Sequence, residues 1–212
     1  MTRKRVLLAD DHRIVADGLK SILSAQYDLV GIVENGRQLL RAAKDSTPDV
    51  IVADISMPLL NGLDAVSQLR SEGCPAKIVF LTMHKDLMYA GKALALGASG
   101  FVLKHSASSE LLKAISIALE DGTFVSPELD FPSGSSKADG TVLAESPALT
   151  ARQREVLQLF AEGRSAKEVA AALGISPRTA ENHKHRIMTQ LGLTSTADLV
   201  QYALRHGLIA AQ

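Results

Sequence analysis

Five polar side chains in the first half of the sequence could together bind a metal ion and a phosphoryl group. They are Asp10, Asp11, Asp54, Thr82 and Lys104. Three carboxylates in one cleft repel one another unless a cation neutralises them, and oxygen ligands suit a hard ion such as Mg²⁺. A lysine ammonium and a threonine hydroxyl suit an anion with several acceptor oxygens. With that anion held in place, Asp54 could act as the nucleophile and carry an acyl phosphate.

These side chains can act together only if the fold brings them to one place. Each follows or ends a short apolar run, and the runs predict strands at 5–9, 29–33, 50–53, 77–81 and 100–103. The helical spacing between and after the runs predicts helices ending near Gln26, Asp45, Arg70, Leu96 and Glu120. Because parallel strands need crossover helices, we expect an α/β fold with a doubly wound, five-stranded parallel sheet. The carboxyl ends of such strands share one edge, where ligands collect.

Asp54 is the clearest candidate of the group. It ends the apolar run Val50–Ala53, which is typical of a strand buried on both faces. Met57-Pro58 and Asn61-Gly62 then supply turn residues before the next helix. Taken alone, an aspartate at this position could also be an ordinary loop or cap residue.

Composition narrows the class of protein. The chain has 212 residues, 46% of them hydrophobic and 22% charged, which leaves room for two small domains. No apolar run reaches the roughly 18 residues of a membrane span, so we expect a cytoplasmic protein with no membrane partner. The single cysteine, Cys74, excludes an internal disulfide and a cysteine zinc site. Net charge is zero, but residues 149–212 carry eight Lys and Arg against five Asp and Glu, a modest basic excess.

The sequence predicts two domains and a linker. Residues 125–147 lose periodicity and are rich in Ser, Gly, Pro and Asp, so we expect a flexible linker between domains at 1–124 and 148–212. Thr150, Ser165 and Ser195 each precede a partner residue by three positions, the pattern of a capping box. Helices are predicted at 151–162, 166–173, 177–191 and 196–206, a smaller all-α domain of four helices. The tight turn at 174–176 is typical of a helix-turn-helix.

The third of these helices has one wholly polar face. At 100° per residue, Ala180, Ile187 and Leu191 form a stripe that faces a core. Arginine can read guanine, asparagine adenine, and glutamate the cytosine amine in a major groove. A solvated surface would give the same pattern. The opposite, polar face consists of Arg178, Glu181, Asn182, His185 and Thr189, while His183, Lys184 and Arg186 suit phosphates or solvent.

The N-terminal motifs, over about residues 4–122, resemble the receiver domain of two-component response regulators, which has a flavodoxin-like fold. The matching residues are Asp10-Asp11, Asp54, Met57-Pro58, Gly62, Thr82 and the run 97–104. The resemblance implies that Asp54 accepts phosphate from a sensor histidine kinase. It also implies that Asp11, Asp54 and the main-chain carbonyl of Ser56 bind Mg²⁺, with Asp10 helping through water. Thr82 and Lys104 would hold the phosphoryl oxygens.

Two residues depart from the receiver pattern. Phe101 occupies the position of the usual switch tyrosine and has no hydroxyl, so switching could be weaker or wired differently. His105 stands where many receivers have a proline, which leaves the phosphate site intact. For His12 and His84, beside the motifs, packing or loop contacts are the expected role.

Residues 148–210 resemble the LuxR-type helix-turn-helix. The match includes Leu149–Leu157, Gly163–Ala170, Leu173–Ser176, His183 and Leu191-Gly192. Ala166, Ala180 and Glu181 depart from the family pattern, and Glu181 should change sequence preference without abolishing binding. The last helix, with Leu199, Val200, Ala203 and Leu204 on one side, is where this family dimerises, although core packing could explain part of that stripe. The DNA-binding candidates are Arg178, Thr179, Glu181, Asn182, Lys184, His185 and Arg186.

Together the two halves resemble a response regulator of the NarL/FixJ class. The resemblance implies a transcription regulator, not an enzyme, in which phosphorylation of Asp54 favours dimerisation and binding to double-stranded DNA. One alternative is an α/β Mg²⁺-dependent phosphatase whose Asp54 turns over a diffusible substrate, which leaves residues 149–212 unexplained. A second alternative is a DNA-binding regulator that works without phosphorylation and uses the receiver only to dimerise.

Overall fold

A computed structural model of the chain describes residues 2–83, 87–129 and 149–209. The chain divides into two compact units, each with its own core. His84 and residues 130–148 of the predicted linker lie outside the described residues. The linker therefore stays a prediction.

The N-terminal unit alternates strands and helices around one parallel sheet. Its strands pair in the order β2-β1-β3-β4-β5-β6, and every neighbouring pair is parallel. The predicted doubly wound α/β fold is therefore confirmed. The strands are β1 Arg5–Ala9, β2 Asp28–Val33, β3 Val50–Asp54, β4 Lys77–Thr82, β5 Gly100–Leu103 and β6 Phe124–Val125. The helices are α1 Arg13–Gln26, α2 Gly36–Ser46, α3 Gly62–Ser71, α4 Leu87–Ala95 and α5 Ala107–Leu119.

The predicted number of five strands is wrong, because a sixth strand extends the sheet beyond β5. Phe124 pairs with Gly100 and Val125 with Phe101. The N–H of Ser126 continues the pairing by donating to the Phe101 carbonyl at 2.9 Å. A strand of two residues has no periodic pattern, so the sequence gives no signal for it. The sheet thus includes Val125, a residue of the predicted linker.

The sheet is buried on both faces, as its apolar strands predict. All five residues of β3 are buried, and Val6 to Ala9 of β1 are fully inaccessible. On one face, alternate strand residues such as Leu8, Val52 and Leu81 pack against α1 and α5. On the other face, α2 packs on β1 and β2 and contacts α3. Fully burying each such aliphatic side chain stabilises the fold by roughly 1.5–3 kcal/mol, so the strands that carry the site residues are held by a stable core.

The described residues of the C-terminal unit form four short helices with well-defined ends. Thr150, Ser165 and Ser195 each form the predicted capping box, and Ser176 caps the third helix through the backbone N–H of Thr179. Gly174 ends the second helix with a φ of 65°, a left-handed conformation that suits glycine. The four-helix prediction is confirmed. The helices are α6 Ala151–Ala161, α7 Ala166–Leu173, α8 Pro177–Leu191 and α9 Thr196–Arg205.

Among the residues that the structure describes, no helix is both long enough and apolar enough to cross a membrane.

Candidate functional site

The predicted acidic cluster forms where the strand order of the sheet reverses. β1 and β3 are neighbours, and the chain leaves them in opposite directions across the sheet. Asp10 follows β1 directly and Asp54 is the last residue of β3, so both lie at the carboxyl edge of the sheet. This reversal point is where open α/β sheets bind their ligands. Both residues are buried, with 1% and 2% exposure.

Lys104 joins the two buried carboxylates. Its ammonium lies 2.7 Å from Asp54 Oδ2 and 3.0 Å from Asp10 Oδ1, with the side chain only 3% exposed. Lys104 begins a 3-10 turn directly after β5, so the end of a third strand completes the cluster. Removing Lys104 from this group would leave two buried carboxylates without a compensating charge, which is strongly destabilising.

The electrostatics of the cluster shift the ionisation of Asp54. Burial raises the pKa of Asp54 from 3.8 to about 6, the Asp10 carboxylate adds to the rise, and the Lys104 ammonium opposes it. Burial pulls the pKa of the Lys104 ammonium down, but Asp54 and Asp10 pull it up more strongly, so the net shift is upward. Lys104 therefore stays charged, while the pKa of Asp54 lies within about one of neutral pH.

The loop after β3 folds back tightly beneath Asp54. The N–H of Gly62 donates to the Ile55 carbonyl at 2.8 Å. A Cβ atom at Gly62 would lie 2.0 Å from the Asp54 carbonyl oxygen, so no side chain fits there. Asn61 caps α3 by accepting from the N–H of Asp64. The turn residues Asn61-Gly62 thus fix the backbone that carries the candidate nucleophile.

The remaining acids complete a donor set that fits a hard divalent cation. Asp10, Asp11, His12 and Asp54 each offer one ligand atom, and these atoms all lie within 4.8 Å of one another. Two carboxylate oxygens there, Asp10 Oδ2 and Asp11 Oδ1, are buried and accept no hydrogen bond. Asp10 Oδ2 does lie 2.9 Å from the Lys104 ammonium, an ion-pair distance outside hydrogen-bonding geometry. Three neighbouring carboxylates, two of them with a buried oxygen that accepts no hydrogen bond, offer the oxygen ligands that Mg²⁺ prefers.

The structure also locates Ser56, Thr82 and Phe101. The N–H of Ser56 donates to Asp54 Oδ1 at 3.2 Å, while its carbonyl as a metal ligand stays a prediction. Thr82 ends β4, is 1% exposed, and follows the residue that pairs with Asp54. Phe101 pairs with Phe80 in the sheet and is fully buried, so its ring already points into the unit.

His12 occupies this site, although packing or loop contacts were its expected role. Its Nδ1 lies 3.0 Å from Asp11 Oδ1 and 3.3 Å from Asp10 Oδ1. The side chain is 58% exposed, so it covers the cluster from the solvent side. The only sequence signal was its position directly after Asp10-Asp11, which does not say where the ring points.

A second candidate surface is the polar face of α8. Arg178, Glu181, Asn182 and His185 are all exposed, as the helical angles predict. Ala180 and Ile187, on the opposite side of the helix, are buried in the core of the unit. Arg178 lies in the first turn, just after the capped start of the helix. The face therefore presents hydrogen-bonding groups outward from a helix whose other side is fixed.

The other DNA-binding candidates lie in different surroundings. Arg186 is exposed and close to the polar face. Thr179 is half-buried, and its hydroxyl lies 2.8 Å from the Ser176 hydroxyl at the helix cap. Lys184 is also half-buried, with its ammonium 4.9 Å from the centre of the Phe160 ring. The ammonium of Lys184 is thus occupied by a cation–π contact within its own unit.

Comparison with known proteins assigns both units to families. Residues 6–116 match the response regulator receiver domain, and residues 147–203 match the luxR family of bacterial regulatory proteins. The transcriptional regulatory protein MctR of Rhizobium johnstonii is 37% identical over 209 residues, which cover 97% of this chain and 95% of MctR.

Solved structures of RcsB resemble the whole chain. The Salmonella typhimurium RcsB response regulator has a TM-score of 0.62 and 27% identity, covering 97% of this chain and 99% of RcsB. A structure of two RcsB dimers bound to two parallel DNAs has a TM-score of 0.59, with the same identity and coverage. The chain therefore belongs to the two-component response regulators of the NarL/FixJ class, transcription factors that join a receiver domain to a LuxR-type DNA-binding domain.

Proposed function

We propose that Asp54 accepts a phosphoryl group from the phosphorylated histidine of a sensor kinase. The phosphorus–nitrogen bond of the phosphohistidine breaks as a carboxylate oxygen of Asp54 forms a new phosphorus–oxygen bond. The products are an acyl phosphate on Asp54 and a free imidazole on the kinase. The observation that carries the proposal is the buried Lys104 ammonium, 2.7 Å from the Asp54 carboxylate at the end of β3.

The neighbours of Asp54 supply what this transfer requires. With a pKa of about 6, Asp54 is mostly ionised near neutral pH and can act as a nucleophile. Lys104 is positively charged and can pair with a phosphoryl oxygen, and the Thr82 hydroxyl at the end of β4 can donate to another. Preorganised donors of this kind stabilise the spread charge of a phosphoryl group in transfer.

Asp10, Asp11 and Asp54 are the residues that would hold Mg²⁺, with the Ser56 carbonyl as a further oxygen ligand and Asp10 acting through water. When bound, Mg²⁺ neutralises the carboxylates and the phosphoryl oxygens. Two buried carboxylate oxygens that accept no hydrogen bond, Asp10 Oδ2 and Asp11 Oδ1, support this assignment. Lys104 compensates part of the acidic charge before any cation binds.

In the C-terminal unit, α8 is the helix that we propose reads the major groove of double-stranded DNA. Arg178, Glu181, Asn182 and His185 face outward and can contact base edges, and Arg186 can contact phosphates. The similarity of the chain to RcsB dimers bound to DNA supports a DNA-binding role for this unit. Thr179 and Lys184 lie at the margins of that face and would contribute phosphate contacts at most.

Phosphorylation would act by favouring a homodimer. Leu199 and Ala203 of α9 belong to the core of the unit, while Val200 and Leu204 on the same helix are half-buried. Those two apolar residues would supply the dimer contact, and the structure of RcsB dimers bound to DNA supports dimerisation of this chain. Two linked modules gain avidity for two half-sites. Phe101 would contribute to switching through packing alone.

The protein would act in the cytoplasm.

The phosphoacceptor assignment is tested by labelling the full chain with a small phosphodonor in the presence of Mg²⁺. We expect one phosphate per wild-type chain and none on Asp54→Asn. The matched control is Asp49→Asn, which removes a carboxylate near the opposite end of β3 and should label like the wild type. Equal labelling of Asp54→Asn and the wild type would reject Asp54 as the acceptor.

A further inference from the structure

The imidazole of His12 lies against all three carboxylates of the candidate magnesium site. Its Nδ1 atom is 3.0 Å from Asp11 Oδ1, 3.3 Å from Asp10 Oδ1 and 3.9 Å from Asp54 Oδ2. The backbone N–H of His12, the N-cap residue of α1, donates to Asp10 Oδ1 at 2.9 Å. Asp10 therefore holds the backbone from which the ring projects.

These separations fit a shared metal ion. Ligand bonds to a small divalent ion are about 2.1 Å long, so neighbouring ligand atoms in an octahedron lie about 3 Å apart. The Nδ1 atom meets that spacing to Asp11 and nearly meets it to Asp10. Asp11 Oδ1 is buried without a hydrogen-bond partner, whereas Asp10 Oδ2 pairs with the Lys104 ammonium at 2.9 Å, and that ammonium also lies 3.5 Å from His12 Nδ1. A nitrogen and several carboxylate oxygens thus converge on one small volume.

We propose that His12 is a nitrogen ligand of this site and that it shifts metal preference towards first-row transition ions. This inference rests on the metal site in the proposed function. Mg²⁺ favours oxygen ligands and keeps its water, whereas imidazole suits transition metals and affinity rises from Mn²⁺ towards Co²⁺ and Ni²⁺. A site with carboxylates alone would discriminate less between these ions. His12 therefore gives the receiver a higher affinity for ions such as Co²⁺ than its carboxylates alone would provide.

The test titrates the full chain with Co²⁺ alone and with Mg²⁺ alone, and compares the wild type with His12→Gln. Glutamine keeps a polar side chain of similar reach but removes the imidazole nitrogen. We expect the Co²⁺ affinity of His12→Gln to fall by at least about tenfold, the low end of losses from disturbing groups that merely orient a ligand. The visible absorption of bound Co²⁺ should also shift, because its ligand set loses a nitrogen. The Mg²⁺ affinity should change less than twofold.

The control variant is His206→Gln, which removes a histidine from the C-terminal unit and should leave the Co²⁺ affinity of the receiver site unchanged. Equal losses for Co²⁺ and Mg²⁺ in His12→Gln would overturn the inference, because His12 would then act on the shape of the site and not as a ligand. Unchanged Co²⁺ affinity and spectrum would overturn it too. If the wild type bound neither ion, the metal site of the proposed function would itself fail.

Discussion

Replacing Asp54 by asparagine should make the receiver domain more stable near neutral pH, even though it removes the candidate phosphoacceptor. The pKa of Asp54 is raised from 3.8 to about 6, mainly by burial. The folded domain thus prefers the neutral side chain, and asparagine resembles that neutral form. A rise in pKa from 3.8 to about 6 corresponds to about 3 kcal/mol of stability. Because Asp54 is only 2% exposed, solvent screening reduces this value little.

The pH dependence of wild-type stability tells at which pH Asp54→Asn should be the more stable protein. Between about pH 4 and pH 6, folded Asp54 holds a proton that unfolded Asp54 has lost, so wild-type stability falls as pH rises through this window. Above about pH 6 the whole penalty is present, and below about pH 4 it is absent. Asp54→Asn should therefore exceed the wild type by up to about 3 kcal/mol near neutral pH and by little near pH 4.

The assay is urea unfolding of the full chain in EDTA, with pulsed hydrogen exchange of β3 peptides to assign the transition to the receiver. Asp49→Asn is a control of opposite sign. Its backbone hydrogen bond from Arg5 holds the pKa of Asp49 below the usual value, with Lys4 adding to the effect. Losing that carboxylate should lower stability near neutral pH and matter less in acid. An Asp54→Asn variant less stable than the wild type, or equally stabilised at both pH values, would refute the reasoning.

Three further perturbations test the local packing and the DNA face. Gly62→Ala should destabilise the receiver and weaken labelling of Asp54, because the new Cβ meets the Asp54 carbonyl oxygen at 2.0 Å; unchanged melting and labelling would contradict this. Ser165→Ala should cost the C-terminal unit about 1 kcal/mol in thermal unfolding by removing a capping box. Arg178→Ala should weaken DNA binding by about 1–3 kcal/mol and relax sequence discrimination, because we propose that Arg178 contacts a base edge. Lys184→Ala should instead act mainly on stability, since its ammonium lies over Phe160; a flatter salt dependence of DNA binding for Lys184→Ala would contradict that assignment.

The candidate site could be predicted because topology carries side chains to one edge whatever their separation in the chain. Lys104 is 94 residues from Asp10 and 50 from Asp54 in sequence, yet its ammonium lies within 3.0 Å of both carboxylates. Parallel pairing guarantees that strand ends meet, and apolar runs mark where strands end. The helix caps of the C-terminal unit were similarly local signals, because each box depends on residues three positions apart.

The features that sequence could not predict depend on tertiary contacts. β6 has only two residues, and its pairing with the edge of β5 is a tertiary contact. The direction of a side chain is equally non-local: Lys184 lies over Phe160 and His12 lies over the acids. Phe101 is a predicted switch position, but the sequence does not show that its ring is fully buried in the core.

The central claim is that phosphate on Asp54 controls DNA binding by α8. The most direct measurement is the affinity of the full chain for its DNA target at fixed salt, with and without a small phosphodonor and Mg²⁺, for the wild type and Asp54→Asn. The account predicts tighter binding of the phosphodonor-treated wild type and no change for Asp54→Asn. An equal response of both proteins, or none in a wild type shown to be labelled, would contradict it.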